Sequence, residues 1–178
     1  MNLISELSDS AAARIGQQLS TIKRPGDIVV VSIHWGPNWG YEVTEAQRRF
    51  AHALIGMAGA SVVHGHSSHH AKSIEVFDNR LVLYGCGDFL NDYEGIRGCE
   101  EFRDDLSLMY FADVDPASGD LIALEMVPLQ IRRFQLVRAS DADIVWTQQT
   151  LDRECQKFGG HVTKTSAGRL ALSWPQGP

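Results

Sequence analysis

Two short apolar runs that end in histidine constrain the fold more than any other feature of this chain. Asp27-Ile28-Val29-Val30-Val31-Ser32-Ile33 leads into His34, and Val62-Val63 leads into His64-Gly65-His66-Ser67-Ser68-His69-His70. Unbroken β-branched runs suit strands covered on both faces of a sheet. Residues 45–58 lie between them and read as a helix. Thr44 with Gln47 forms a capping box, Phe50, Leu54 and Met57 supply a buried face, and Gly59 ends it. Strand, helix, strand predicts a right-handed crossover, with strands 28–33 and 61–64 parallel and adjacent. Ligand sites of open α/β sheets lie beyond the carboxyl ends of their strands. Here both ends carry imidazole, the commonest protein ligand for first-row metals.

The remaining pattern extends the same α/β class. Residues 9–22 read as a helix with Ala12, Ile15, Leu19 and Ile22 on one face, capped by Ser8 and stopped by Pro25-Gly26. Residues 73–77 and 81–84 predict a hairpin turning at Asp78-Asn79, and Gly85–Phe89 a turn. Residues 88–105, polar and without a period, read as a long surface loop. Residues 106–114 and 121–128 predict two further strands, and 131–137 a continuation of the sheet. Ser140 with Asp143 caps a helix over 141–158, and a terminal hairpin turns at Ala167-Gly168. One domain of 178 residues is expected.

A net charge of −6, with basic residues scattered, argues against a nucleic-acid partner. No apolar run reaches the length of a membrane helix, and the N-terminus lacks a basic segment followed by an apolar one. A cytoplasmic location is the default expectation. Cys86, Cys99 and Cys155 are odd in number and far apart, which fits neither a disulfide framework nor a Cys-x-x-Cys site.

His34 and His66 are expected to emerge at one rim of the sheet, with Gly65 allowing close backbone approach and Ser67 and Ser68 orienting ring nitrogens. His66 and His69 have a His-x-x-His spacing that serves one metal or two adjacent ones. A lone histidine is more often a polar surface residue, and His52 and His161 are read that way. Several imidazoles gathered together need compensating partners, which makes a metal site the stronger reading for the cluster.

Three ordered blocks resemble the capsule biosynthesis protein CapA family, the poly-γ-glutamate synthesis proteins of the calcineurin-like metallophosphoesterase superfamily. The segment ending in His34-Trp35-Gly36 is similar to the family's strand followed by His-Trp-Gly. Gly65-His66-Ser67-Ser68-His69 resembles its Gly-His-His-Pro-His, and Tyr84-Gly85-Cys86-Gly87-Asp88-Phe89 its Tyr-Ser-Leu-Gly-Asn-Phe. The departures are Ser67 and Ser68 for His-Pro, and Asp88 for Asn. The superfamily's early Asp, Gly-Asp and Asn motifs have no counterpart, since 33 residues precede His34. The chain thus resembles the C-terminal half of such a domain.

The resemblance implies part of a metallophosphoesterase-like layered sandwich, with a mixed sheet flanked by helices. It implies that His34 and His66 serve one ion of a two-metal site and that His69 approaches the other. The ion would be divalent manganese, zinc or iron, held weakly if at all. Trp35, His64, Gly65, Ser67, Ser68, His70, Asp88 and Asp92 are the supporting candidates. Without the upstream carboxylates the site is incomplete, and little phosphoesterase activity is expected. The implied role is in capsule or poly-γ-glutamate production, beside other synthesis proteins. One alternative is a phosphoesterase completed by a partner or an upstream segment. Another is a non-catalytic scaffold for exopolymer assembly. Half a domain also predicts exposed strand edges and self-association.

Overall fold

The computed structural model describes residues 3–91 and 96–175. Two sheets organise the chain. The first runs β1-β2-β4-β3, with β1 Val30–His34, β2 Val62–His66, β3 Ile74–Phe77 and β4 Arg80–Leu83. β1, β2 and β4 are parallel, and β3 returns antiparallel to β4. The β3–β4 turn uses Asp78 and Asn79 at positive φ (49° and 58°), as a tight hairpin requires. Val30 faces Val62 and His34 faces His66 in the parallel register. β2 therefore extends further than the expected 61–64: Gly65 and His66 lie within the strand, not in a loop after it.

The crossover helix α2, Glu45–Ala58, starts at the expected capping box, in which Thr44 and Gln47 each bond the other's backbone. It ends with Gly59 at φ 67°. α1, Asp9–Ser20, starts at Ser8, whose hydroxyl accepts from the Ala11 N–H at 3.3 Å. Both helices pack on one face of the first sheet, where Phe50, Leu54 and Ala12 meet Ile33, Val63 and Val82. Two expected core residues are exposed, Ile22 at 71% and Met57 at 51%. Ile22 falls beyond the end of α1. The buried stripe of α2 runs through Gln47, Phe50, Ala51, Leu54, Ile55 and Ala58, which turns Met57 outward.

The second sheet runs β5-β6-β9-β8, with β7 paired to β6. β5 is Leu106–Val114, β6 Leu121–Arg132, β7 Gln135–Arg138, β8 His161–Lys164 and β9 Leu170–Ser173. β6 is longer than the pattern suggested. Arg133 and Phe134 at positive φ turn it into β7, so 131–137 forms two arms of a hairpin. α3, Asp141–Cys155, begins at Ser140 and passes into a 3-10 turn over Gln156–Phe158. Another 3-10 turn, Glu100–Phe102, interrupts the expected loop. A second core joins Ile74, Leu81 and Leu83 to Leu108, Leu124 and Met126, with Leu151 and Cys155 of α3.

The second sheet thus covers the β3–β4 side of the first. β1 was expected to be buried on both faces, but Val30 is 59% exposed and Ser32 and His34 are also exposed. Only the helix side of β1 is covered. No helix among the described residues is long and apolar enough to cross a membrane.

Candidate metal centre

His34 closes β1, His66 closes β2, and the register sets them side by side. Their Nδ1 atoms stand 3.4 Å apart, with the rings edge to face at 5.2 Å. His64 shares their face of the sheet one pleat back. Its Nδ1 lies 3.0 Å from the Ser32 hydroxyl and its ring 5.6 Å from that of His66. Burial lowers the pKa of His64 and His66 below 6.5, and the neighbouring imidazole lowers each further. Both are therefore neutral near pH 7, the form in which an imidazole nitrogen binds metal.

Gly65 is what allows this packing. A Cβ there would stand 2.5 Å from Trp35 Nε1, 2.6 Å from the Leu83 carbonyl and 2.7 Å from the Tyr84 carbonyl. Trp35 itself turns away from the rim. It is 6% exposed, donates from Nε1 to the Tyr84 carbonyl at 3.0 Å, and stacks on the Tyr84 ring. It braces the strand ends from within.

His69 forms a second pair. Its Nδ1 lies 3.0 Å from Asp88 Oδ2, which also accepts from Asn91 Nδ2 at 3.0 Å. A carboxylate in that position fixes the orientation of the ring. Asp92 lies outside the described residues. Ser67 and Ser68 do not orient ring nitrogens as expected. Ser67, at φ 139°, donates to the Gly36 carbonyl, and Ser68 donates to the His70 carbonyl. They hold backbone, with strain concentrated at Ser67.

His70 points inward. It is 2% exposed, packed between Trp39, Tyr41 and Phe102, with Nδ1 3.1 Å from the Ala71 carbonyl. Burial pushes its pKa down to about 4. Lys72, also buried, donates to the Glu42 carbonyl at 2.6 Å. Together these contacts clamp the 36–43 loop beside the histidines.

Sequence reasoning missed two features. The aromatic clamp was visible only as a Trp-rich loop, because its third ring, Phe102, comes from the segment read as featureless. The other is a network around Glu75, a buried carboxylate. It accepts from Tyr84 Oη at 2.5 Å, from Arg48 Nη2 at 3.2 Å, and lies 3.1 Å from His52 Nε2. His52, read as an ordinary surface residue, stacks on Phe77 at 3.6 Å and ties α2 to the sheet. His161 is 60% exposed, in keeping with that reading.

The candidate residues thus fall into two pairs, His34–His66 and His69–Asp88. Among the described residues no group of three or more His, Cys, Asp or Glu is placed to hold one ion. The first pair nevertheless fits half of a metal site. Zinc–nitrogen bonds of about 2.0–2.1 Å give a tetrahedral edge of about 3.4 Å, which matches the Nδ1 separation. Two imidazoles leave the other positions of such an ion to water or to groups from elsewhere.

The sequence profile of the bacterial capsule synthesis protein family PGA_cap matches residues 2–93. The chain belongs to that family. It is 49% identical over 157 residues to a probable polyglutamine synthesis accessory protein of Mycobacterium tuberculosis, a match covering 88% of this chain and 40% of the relative. It is 28% identical over 154 residues to the PGA biosynthesis protein CapA of Bacillus subtilis, covering 86% and 38%. A match at 28% to the capsule biosynthesis protein CapA of Bacillus anthracis covers 76% and 33%. The chain therefore spans about two-fifths or less of the length of these curated relatives.

Proposed function

We propose that this PGA_cap chain serves capsule or poly-γ-glutamate synthesis and carries an incomplete metallohydrolase site. In this reading His34 and His66 bind one first-row divalent ion weakly, and His69, braced by Asp88, stands at the neighbouring position. The 3.4 Å approach of the two Nδ1 atoms supports it, because it fits two ligands of one tetrahedral ion. Held by His34 and His66, such an ion would supply Lewis acidity towards a phosphoryl oxygen or a water molecule. The chain's own contribution is to supply two imidazole nitrogens at a fixed spacing.

No carboxylate joins His34 and His66 within a ligand group among the described residues. Two-metal hydrolysis needs ligands that hold both ions and neutralise their charge. The isolated chain is therefore expected not to hydrolyse generic phosphomonoesters or phosphodiesters, with or without manganese or zinc. Metal-dependent hydrolysis by the purified chain that His66→Ala abolishes would overturn the incompleteness. The reading of a phosphoesterase completed by further polypeptide is favoured by one observation, the uncovered face of β1 beside His34.

A further inference from the structure

β1 ends the first sheet, and its outer edge meets no other strand among the described residues. The direction of its main-chain groups follows from the bonds at its two ends. The Trp35 N–H donates to the His66 carbonyl, and the Val29 carbonyl accepts from the Val62 N–H. Odd-numbered residues therefore face β2, and by alternation the N–H and C=O groups of Val30, Ser32 and His34 point outward. Folded proteins commonly guard such an edge with a charge, a proline, a bulge or a covering element. Val30-Val31-Ser32-Ile33-His34 has no formal charge apart from a protonated His34, no proline and a regular register. Val30 is 59% exposed.

We infer that this edge pairs with β1 of a second copy of the chain. Antiparallel pairing about a two-fold axis at Ser32 sets Ser32 against its equivalent, and Val30 against the partner's His34. All the outward N–H and C=O groups of the three residues are then matched, giving up to about six main-chain bonds. In this pairing no two ionisable side chains face each other across the seam, so the chain's net charge of −6 opposes association only at longer range. Facing residues in an antiparallel pair share a side of the sheet. The uncovered strip of Val30, Ser32 and His34 therefore becomes continuous with that of the partner, and the partner's Val30 walls the rim beside His34. The first sheet grows from four strands to eight. This inference rests on main-chain geometry and not on metal binding, so the two fail separately.

Light scattering on the purified chain, over a range of concentrations and without added metal, tests the seam. Twice the chain mass is expected, with the Ser32 amide slow to exchange with deuterium in the dimer. Ser32→Pro removes an outward donor and keeps the main-chain bonds to β2, losing only the side-chain contact of the Ser32 hydroxyl with His64, and Val30→Lys places charge on the seam. Either should give a monomer that still unfolds cooperatively, with a midpoint that no longer depends on protein concentration; should Ser32→Pro fail to fold, Val30→Lys alone decides. A monomer up to the solubility limit, with the Ser32 amide in fast exchange, would overturn the inference and leave the edge to a different polypeptide. So would a dimer that survives Val30→Lys.

Discussion

Gly65→Ala probes the packing on which the histidine pair depends. The new methyl would stand 2.5 Å from the Trp35 indole nitrogen, 2.6 Å from the Leu83 carbonyl and 2.7 Å from the Tyr84 carbonyl. Two of these contacts are backbone of the adjoining strand and its end, and the third is a buried ring, so no flexible side chain can yield. Overpacking of this kind costs about 1–3 kcal/mol. Opening the gap also pulls Trp35 Nε1 from the Tyr84 carbonyl, and a buried donor left unpaired costs a further 1–3 kcal/mol or so. The sum, roughly 2–6 kcal/mol, would lower a urea midpoint by about 1–3 M at a slope near 2 kcal/mol/M. Urea titration followed by tryptophan fluorescence measures it, with Gly56→Ala as the control. Gly56 lies in α2 with nothing near its Cβ position, and alanine there should add about 0.5–1 kcal/mol. A Gly65→Ala loss below about 0.5 kcal/mol would refute the close-approach argument.

Two further outcomes follow from buried polar groups. Glu75→Ala strips the partner from a buried Tyr84 hydroxyl and from Arg48 and His52, and should cost about 3 kcal/mol by the same titration; Tyr84→Phe should cost about 1 kcal/mol. His70 binds its proton only near pH 4 when folded but near 6.5 when unfolded, so its stabilising contribution is complete above about pH 6.5 and falls as pH drops towards 4. His64 and His66 shift in the same direction. Unfolding at pH 5 should show a deficit of about 2 kcal/mol from His70 relative to pH 7.5, and His70→Leu should shrink that pH difference.

The strand–helix–strand core was legible because each signal was local. The Thr44–Gln47 box fixed the start of α2, Gly59 its end, and crossover handedness the parallel pairing that brings His34 to His66. What stayed hidden depends on contacts distant in sequence. His70 differs from His69 by one position, yet one is buried among rings and the other meets Asp88. The side each faces is set by Trp39, Tyr41 and Phe102, drawn from two separate loops. Glu75 reads as one polar residue in a strand until α2 brings Arg48 and His52 over it. The bare face of Val30 was misread for a related reason. A β-branched run signals a strand that can be covered on both faces, whereas the covering layers come from the rest of the fold.

The metal-binding role of this rim requires that His34 and His66 act as two ligands of one ion. Isothermal titration of zinc into the purified chain at neutral pH, beside the His34→Ala/His66→Ala double variant and a His161→Ala control, tests it directly. One weakly bound ion is expected for the chain and for the control, with none at that site in the double variant. Equal uptake by the chain and the double variant would show that the His34–His66 pair does not hold the ion.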